Sequence, residues 1–364
     1  MRIGIEAERA NNPVKTGVEH YAKQLILHLA EIDRNNQYTL YLRTKPEPWF
    51  FSLPANFKVK VIPFPKFWTQ LRISWEMLWH PVDLLFIPAS ALPFIHPKKS
   101  VVTIHDTAWV NYPEAFTPFM RRYLHWSTKY AVWSASKVIA VSHATKNDLV
   151  KYYRLPPQKL AEVPHGYEKA HHNFSLDVLS AEIRAKLPEK YVIFVSTLQP
   201  RKNVDGLIDA FAELKREHPE LPHKLVIAGR AGWKFEPILR KINDNKDTVV
   251  YLGHIHDNDR WPLYHHADLF VHPSFYEGFG MWILEAFECE VAVAVSNSSS
   301  LPEVGGDAAL YFDPHNRQDI KKAIKDALFD AGLRQRLIEK GKARLPLFGW
   351  DICARQTLEV FNNA

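Results

Sequence analysis

Cysteine is scarce in this chain: only Cys289 and Cys353 occur among 364 residues. They form no Cys-x-x-Cys pair, which argues against a disulfide framework or a zinc site and fits a reducing cytosol. No uncharged apolar run reaches the ~20 residues that a membrane-spanning helix needs. The first residues, 1–5, enter a strand pattern directly, so we expect no signal peptide and a cytoplasmic protein.

The excess of positive charge is modest, and several well-known motifs are missing. Lys and Arg number 46 against 40 Asp and Glu, for a net charge of +6, which suits a small anionic ligand or loose contact with an anionic membrane. No basic run or known nucleic-acid-binding motif occurs, so we expect no nucleic-acid partner. The Gly-x-Gly-x-x-Gly signature and the Gly-Lys-Ser/Thr ending of a P-loop are absent, which argues against a dehydrogenase and a P-loop kinase.

Short apolar segments alternate with amphipathic helical patterns along the chain. A second series of the same alternation begins after Pro164. This alternation predicts an α/β protein of two doubly wound units, each with a parallel sheet covered on both faces. We place the N-terminal domain at residues 1–169 and the C-terminal domain at 170–348. One helix is expected over Asp319–Lys342, and an amphipathic helix at 349–364 either ends the second domain or crosses back to the first.

The segment Ser274–Glu288 carries two carboxylates, Glu277 and Glu285, around a Gly-Phe-Gly turn and the start of an apolar helix. On one helix their backbones would lie about 12 Å apart, too far to share a metal or a proton. Gly278 and Gly280 allow the backbone to bend and approach a ligand. The pattern predicts a helix N-terminus with one acid at each end of an elongated polar ligand, such as a nucleotide-sugar. A capped surface helix with two solvated acids explains the same residues.

Two further loops follow predicted strands, where ligands bind in open parallel sheets. Arg201 and Lys202 can meet a diphosphate, Arg by its planar fork and Lys as a point charge, although a solvated loop with Lys202 facing water is the alternative. Ser300 is a good N-cap with Pro302 in the first turn. Such an N-terminus can hold phosphate through backbone N–H groups, but a plain capped helix is equally compatible.

The signals in the first half of the chain are weaker. Gly17, between the first strand and the first helix, is a lone glycine that can allow close approach of a ligand. His105 and Asp106 end the fifth strand, where they can orient a sugar hydroxyl, although Asp106 can instead cap a turn.

A run of aromatic residues is interleaved with Lys66 and Arg72. A helix core is the expected interpretation of this run, and a membrane-facing or lipid-acceptor surface is the alternative. The aromatic residues are Phe64, Phe67, Trp68, Trp75 and Trp79.

Taken together, these segments resemble glycosyltransferase family 4, the retaining GT-B transferases, along nearly the whole chain. The ordered motifs are Val-Thr-Ile-His-Asp at 102–106, Ile-Ala-Val-Ser-His-Ala-Thr at 139–145, Gln-Pro-Arg-Lys-Asn at 199–203, Tyr-Glu-Gly-Phe-Gly at 276–280 and Ser-Leu-Pro-Glu-Val-Gly-Gly at 300–306. Glu277 and Glu285 match the family's Glu-x7-Glu signature. The sequence after Ser300 looks most like the mannosyltransferase branch, whose members are often found in bacterial surface polysaccharide assembly. Trp282 stands where the family frequently has proline.

The resemblance implies two Rossmann-like domains facing a central cleft, with the C-terminal helix returning to the first domain. It also implies that Arg201 and Lys202 neutralise the leaving diphosphate, so that neither a metal nor another cofactor is needed. Glu277 would lie beside the donor hexose, Glu285 would grip the ribose, and His105 would line the sugar or acceptor side. The other implied donor contacts are Gly17, Gly278, Phe279, Gly280, Met281, Ser300 and Leu301.

The expected function is therefore a metal-independent retaining glycosyltransferase. It would move a hexose, with mannose and a GDP-mannose donor favoured, from a nucleotide-sugar to a glycan or lipid-linked glycan. Peripheral contact with the inner face of a membrane is compatible with the basic pI, near 9.0. The alternatives are a phosphorylase or sucrose-type enzyme of the same architecture, and a non-catalytic nucleotide-sugar or glycan-binding protein.

Overall fold

The computed structural model describes residues 1–13, 17–167 and 173–364, apart from the side chains of Asp257 and Asn258. The chain divides into two compact units. Met1–Gly166 and Phe348–Ala364 form the first, and Tyr167–Leu347 forms the second. Residues 169 and 170, where we expected the change of domain, lie outside the described residues.

The first unit is built on a seven-stranded sheet in which every recorded strand pair is parallel. The spatial order is β3-β2-β1-β4-β5-β6-β7, so successive strands add outward on one side of β1 and then on the other. The strands are β1 (Arg2–Glu6), β2 (Gln37–Leu42), β3 (Phe57–Val61), β4 (Leu84–Ile87), β5 (Ser100–Ile104), β6 (Lys137–Ala140) and β7 (Leu160–Glu162).

Between these strands the described residues form the α-helices α1 (Gly17–Ile32), α2 (Ser74–Trp79), α3 (Ala108–Asn111), α4 (Pro118–Ser134) and α5 (His143–Tyr153). A π-helical turn, Trp68–Ile73, leads directly into α2. In α1 the buried side chains Tyr21, Leu25 and Leu29 recur four residues apart, which gives the helix one apolar face toward the sheet.

The second unit has a six-stranded parallel sheet in the order β10-β9-β8-β11-β12-β13. Its strands are β8 (Tyr191–Val195), β9 (Lys224–Ala228), β10 (Val249–Gly253), β11 (Leu269–His272), β12 (Val293–Ser296) and β13 (Ala309–Phe312). Its helices are α6 (Ala181–Lys186), α7 (Val204–Glu217), α8 (Glu236–Asp244), α9 (Asp257–His265), α10 (Met281–Glu288), α11 (Leu301–Gly305), α12 (Arg317–Phe329) and α13 (Ala331–Arg344). The prediction of two doubly wound α/β units is confirmed.

The single helix expected over Asp319–Lys342 is wrong, because the chain breaks at Asp330 into α12 and α13. Asp330 leaves the helical conformation with φ −114° and ψ 92°. Its carboxylate accepts a 2.8 Å hydrogen bond from the backbone N–H of Leu333 and so caps α13. An aspartate stabilises a helix start in this way, and the cap replaces a hydrogen bond that a continuous helix would make.

The helix core expected for the aromatic run is also wrong for four of its five residues. Trp68 is buried and donates from Nε1 to the carbonyl of Ile62 at 2.7 Å. The other four, Phe64, Phe67, Trp75 and Trp79, are exposed. Trp75 and Trp79 share a face of α2, but that face points to solvent, and Phe64 and Phe67 precede the helix.

The C-terminal helix, α14 (Trp350–Asn362), packs along α1 in the first unit. Phe361 is fully buried, and its ring centroid lies 5.1 Å from that of Phe86 on β4. Cys353 and Ala354 are buried on the same helix. Across the described ranges, no helix combines the length and apolarity required to traverse a bilayer.

We expect Phe361→Ala to destabilise the protein by about 3–5 kcal/mol, because it removes a large buried ring and leaves a cavity. Urea unfolding of the full chain measures this loss. Phe51→Ala is the matched control, since Phe51 lies in the same unit and is 73% exposed. Equal losses in the two variants would contradict a structural role of α14 in the first unit.

Candidate functional site

Three neighbouring strands of the second unit, β8, β11 and β12, end at the same edge of the sheet. The loops that follow them bring together the residues that the sequence marked as donor-binding. Arg201 and Lys202 come from the loop after β8, Glu277 from the loop after β11 and Ser300 from the loop after β12. This is the edge at which parallel sheets bind ligands.

The carboxylate of Glu277 holds these loops together. Its Oε1 atom lies 2.5 Å from Lys202 Nζ and accepts a 2.6 Å hydrogen bond from Ser274 Oγ. Its Oε2 atom accepts from Arg201 Nη1 at 3.1 Å. Glu277 and Lys202 are 7% and 6% exposed, so the ion pair between them is buried. The alternatives of a solvated loop with Lys202 facing water, and of Glu277 as a solvated acid, are therefore wrong.

The charges of this cluster leave it positive. Burial alone would raise the pKa of Glu277, but the charges of Lys202 and Arg201 outweigh burial and hold that pKa well below its usual range. Glu277 is therefore ionised at neutral pH. One carboxylate facing two cations leaves a net positive charge that can attract an anion.

Two serine hydroxyls support the backbone around Glu277. Its N–H donates to Ser299 Oγ at 2.8 Å, and Ser300 Oγ donates to the carbonyls of Glu277 at 3.0 Å and Phe279 at 2.8 Å. Ser300 occupies the N-cap position of α11, but its side chain makes no cap hydrogen bond. The predicted capping role is thus wrong for the hydroxyl, which fixes the neighbouring loop instead.

The Gly-Phe-Gly turn needs its second glycine for steric reasons. Gly280 has φ +105°, a conformation that side chains disfavour, and a Cβ there would lie 2.9 Å from Leu301 Cδ2. Phe279 and Leu301 are buried, and Gly278 precedes them in the turn. Helix α10 then begins at Met281, so Glu277 precedes the helix as expected.

His272, which was not predicted from the sequence, supports the Glu277 cluster through Ser274. Its Nδ1 atom lies 2.9 Å from Ser274 Oγ, the hydroxyl that donates to Glu277. Its ring stacks on Trp282 with centroids 3.5 Å apart. Burial holds the pKa of His272 well below its usual value, so the imidazole is neutral and adds no charge. The available signal was a histidine at the last position of a buried strand.

Glu285, the second acid, lies within α10 and has a separate partner. Arg260 Nη1 on α9 contacts Glu285 Oε1 at 2.9 Å, and both side chains are largely buried. Glu285 is thus not a solvated surface acid. Arg260 was missed because it belongs to a different helix and follows no motif.

The first unit places His105 at the end of β5. Its Nε2 atom lies 2.8 Å from the carbonyl oxygen of Pro88, and its Nδ1 atom lies 3.2 Å from His165 Nε2. The ring of Tyr21 stacks on His165 at 4.7 Å. Burial lowers the pKa of both imidazoles, so neutral rings are expected at physiological pH.

Two other predicted residues of the first unit have local roles. Asp106 accepts a 3.0 Å hydrogen bond from the N–H of Ala108, at the start of α3, as the capping alternative proposed. Gly17 is the first residue of α1, so the expectation that it lies in the preceding loop is wrong. Among the residues that the structure describes, no cluster of three or more His, Cys, Asp or Glu side chains is placed to hold a metal ion.

Two family models match the chain. The model described as Glycosyl transferases group 1 matches residues 177–344, and that of Glycosyltransferase Family 4 matches residues 15–171. O-antigen chain mannosyltransferase B of Escherichia coli is 31% identical over 275 residues, which cover 72% of this chain and 70% of that protein. This chain belongs to glycosyltransferase family 4. It is an enzyme, and its activity is glycosyl transfer.

Other relatives extend the same picture. The serotype-specific mannosyltransferase WbdA of E. coli is 29% identical over 289 residues, covering 76% of this chain but only 34% of WbdA. Sucrose-phosphate synthase from Thermosynechococcus elongatus has a TM-score of 0.78 at 19% identity, with 100% of this chain and 98% of that chain covered. Anabaena Alr3699/HepE, in complex with UDP and glucose, has a TM-score of 0.73 at 18% identity, with 100% and 99% covered. These solved structures confirm the GT-B fold class.

We expect Glu277→Gln to destabilise the protein by about 3–5 kcal/mol at neutral pH, because it leaves two cations without their buried counter-charge. The sign of the pH dependence follows from the lowered pKa. Above 4.5, the ordinary value, the ionised carboxylate contributes its full stability. As the pH falls below that value, the unfolded chain takes up the proton first and this stability is lost.

Urea unfolding at neutral and acidic pH measures both effects. The difference in the free energy of unfolding between wild type and Glu277→Gln should become smaller as the pH falls below 4.5. Glu182→Gln is the control, since Glu182 pairs with Lys186 on an exposed face of α6 and should show a smaller loss. A Glu277→Gln variant as stable as wild type at neutral pH would show that the carboxylate does not hold the cluster.

Proposed function

We propose that the protein transfers mannose from a nucleoside diphosphate-sugar to a glycan or lipid-linked glycan, with retention of the anomeric configuration and without a metal ion. The observation that carries this proposal is the buried Glu277 cluster, which holds Arg201 and Lys202 at the carboxyl end of the sheet. A diphosphate carries the negative charge that would balance the second cation of this cluster. Retention is proposed from family membership.

Arg201 and Lys202 would stabilise the negative charge that develops on the leaving diphosphate as the glycosidic bond breaks. Preorganised charges in a water-poor site act strongly at this step because they need no reorganisation. Glu277 fixes the position of both cations, beside the donor hexose. The cations would thereby supply the charge neutralisation for which other transferases use a metal ion.

The remaining residues would bind and orient the substrates. Glu285, held by Arg260, would accept hydrogen bonds from the ribose hydroxyls. The backbone of the 278–281 turn would contact the donor sugar, and the amides near Ser300 and Leu301 the phosphates. On the first unit, neutral His105 and the neighbouring Asp106 would hydrogen-bond a sugar hydroxyl, and Gly17 at the start of α1 would lie near the diphosphate.

Mannose and GDP-mannose are proposed because three relatives are named mannosyltransferases, including O-antigen chain mannosyltransferase RfbU of Salmonella typhimurium. The Anabaena HepE structure holds UDP-glucose, which makes a UDP-sugar the first competing donor to test. We also propose that the enzyme acts on the cytoplasmic side of a membrane, where a lipid-linked acceptor would be presented.

A screen of GDP-, UDP- and ADP-sugars by thermal shift identifies the donor. A ligand at 100 times its Kd adds about 2.7 kcal/mol to the free energy of unfolding, which is readily measured. We expect GDP-mannose to give the largest shift, and expect Lys202→Ala to reduce it. Stabilisation by a donor with no transfer to any acceptor would favour the non-catalytic alternative. Turnover that requires free phosphate would favour the phosphorylase.

Steady-state kinetics separate the roles of Lys202 and Glu285. Lys202→Ala should lower kcat by about tenfold or more, because the lost contact strengthens as charge develops on the diphosphate. Glu285→Ala should mainly raise KM, by a similar factor, because the ribose is bound alike in ground and transition states. Lys322→Ala and Glu339→Ala are the charge-matched controls on exposed helix faces. Wild-type rates in folded Lys202→Ala and Glu285→Ala variants would refute both roles.

A further inference from the structure

Most of the exposed large hydrophobic side chains in the described ranges lie in the first unit, between Val61 and Trp133. Single exposed apolar residues are normal on a soluble protein, but a concentration of them marks an interaction surface. The largest of these side chains are tryptophans. Trp75 is 61% exposed and Trp126 is 53% exposed.

The segment Trp68–Trp79 is a helix with its apolar stripe on the outside. Leu71, Trp75, Leu78 and Trp79 recur three and four residues apart, and all are exposed. The opposite side packs Ile73 and Met77 into the core of the first unit and also buries Glu76, whose charge is met by Lys60 and by Arg72 at 3.2 Å. The segment is therefore apolar on both sides, whereas an ordinary surface helix turns a polar side toward water.

Helix α4 carries a second outward stripe of rings, with cations beside it. Phe119, Tyr123 and Trp126 are exposed on it at helical spacing. At about 100° per residue, the exposed side chains of Arg122 and Lys129 lie next to this stripe, whereas Arg121 lies on the other side of the helix. The seventeen-residue helix contains no carboxylate, so no acid of α4 offsets these cations.

Direct contacts join the two helices into one surface, here called the aromatic surface: the 71–79 stripe, Phe94 and the outer side of α4. Gln70 Nε2 donates to the hydroxyl of Tyr123 at 3.4 Å. The ring centroid of Phe94 lies 6.3 Å from that of Trp126. The backbone N–H of Ile95, next to Phe94, donates to Ser74 Oγ at the start of α2 at 3.0 Å.

We infer that the aromatic surface binds the headgroup region of an anionic lipid bilayer. Trp and Tyr prefer that region because their rings are apolar and their N–H or O–H groups reach water. Arg122 and Lys129 would meet the negative headgroups while the neighbouring rings enter the acyl boundary. A symmetric pairing of two copies is disfavoured, because it would bring two surfaces of the same positive charge together.

Co-sedimentation of the full-length protein with vesicles tests this inference. One set of vesicles is phosphatidylcholine alone, and the other contains one third phosphatidylglycerol. We expect binding to the anionic vesicles that weakens as salt is added, and much weaker binding to phosphatidylcholine. Vesicle binding is read without any glycosyl donor, so a negative result would leave the proposed reaction intact.

Two double variants locate the binding surface. Arg122→Ala with Lys129→Ala should weaken binding to anionic vesicles by about twenty-five-fold, from roughly fivefold for each cation near an anionic surface. Trp75→Ala with Trp79→Ala should weaken it by about tenfold or more, since two rings no longer leave water. The controls are Arg216→Ala with Arg240→Ala for charge, and Phe329→Ala for exposed aromatic area, all in the second unit. Because all these side chains are exposed, the variants should fold normally.

Each outcome decides the question. Loss of vesicle binding in both surface variants, but not in the controls, supports the inference. Absence of wild-type binding to anionic vesicles, or binding that the surface variants leave unchanged, overturns it. Light scattering of the wild type and of Trp75→Ala with Trp79→Ala covers the remaining case. A wild-type dimer that this variant converts to a monomer, without vesicle binding, would assign the surface to a second copy and overturn the lipid inference.

Discussion

A single buried carboxylate, Glu277, determines the arrangement of the second unit's strand ends. Its Oε1 atom contacts Lys202, from the loop after β8, and accepts a hydrogen bond from Ser274 in its own loop. Its Oε2 atom accepts a hydrogen bond from Arg201. Burying such charges costs several kcal/mol for each ion, and a well-packed apolar cluster is often at least as stable. The retention of a charged cluster at a ligand-binding edge is therefore better explained by its chemistry than by stability.

Neutral groups support the cluster of Glu277, Lys202 and Arg201. The imidazole of His272 is deprotonated by burial, and serine hydroxyls make several of the other hydrogen bonds. Ser296 and Ser298 both donate to the carbonyl of Ser274, and Ser300 donates to two carbonyls of the next turn. Hydroxyls stiffen these loops and, being neutral, leave the positive charges of Arg201 and Lys202 in place.

The sequence predicted the parallel strands well, because strands buried on both faces are continuous apolar runs, as in Leu84–Ile87 and at residues 225–228. It missed β7, which has three half-buried residues and no pattern of its own. The motif residues Arg201, Lys202, Glu277 and Ser300 were found because each follows a strand, whereas Arg260 reaches the site from a neighbouring helix. The aromatic run was misassigned for a different reason. Periodicity shows which residues share a helix face, but only packing shows whether that face is turned toward the core.

The most direct measurement of the central interaction is the pKa of the Glu277 carboxyl, followed by NMR of protein labelled with carbon-13 at glutamate Cδ and assigned with Glu277→Gln. In wild type the carboxyl should remain ionised as the pH falls through its ordinary value of 4.5, because Lys202 and Arg201 lie against it. In Lys202→Ala, where one of these charges is removed, the same pKa should rise. A wild-type carboxyl that titrates at 4.5 or above, or one unaffected by the loss of Lys202, would contradict the proposed charge cluster.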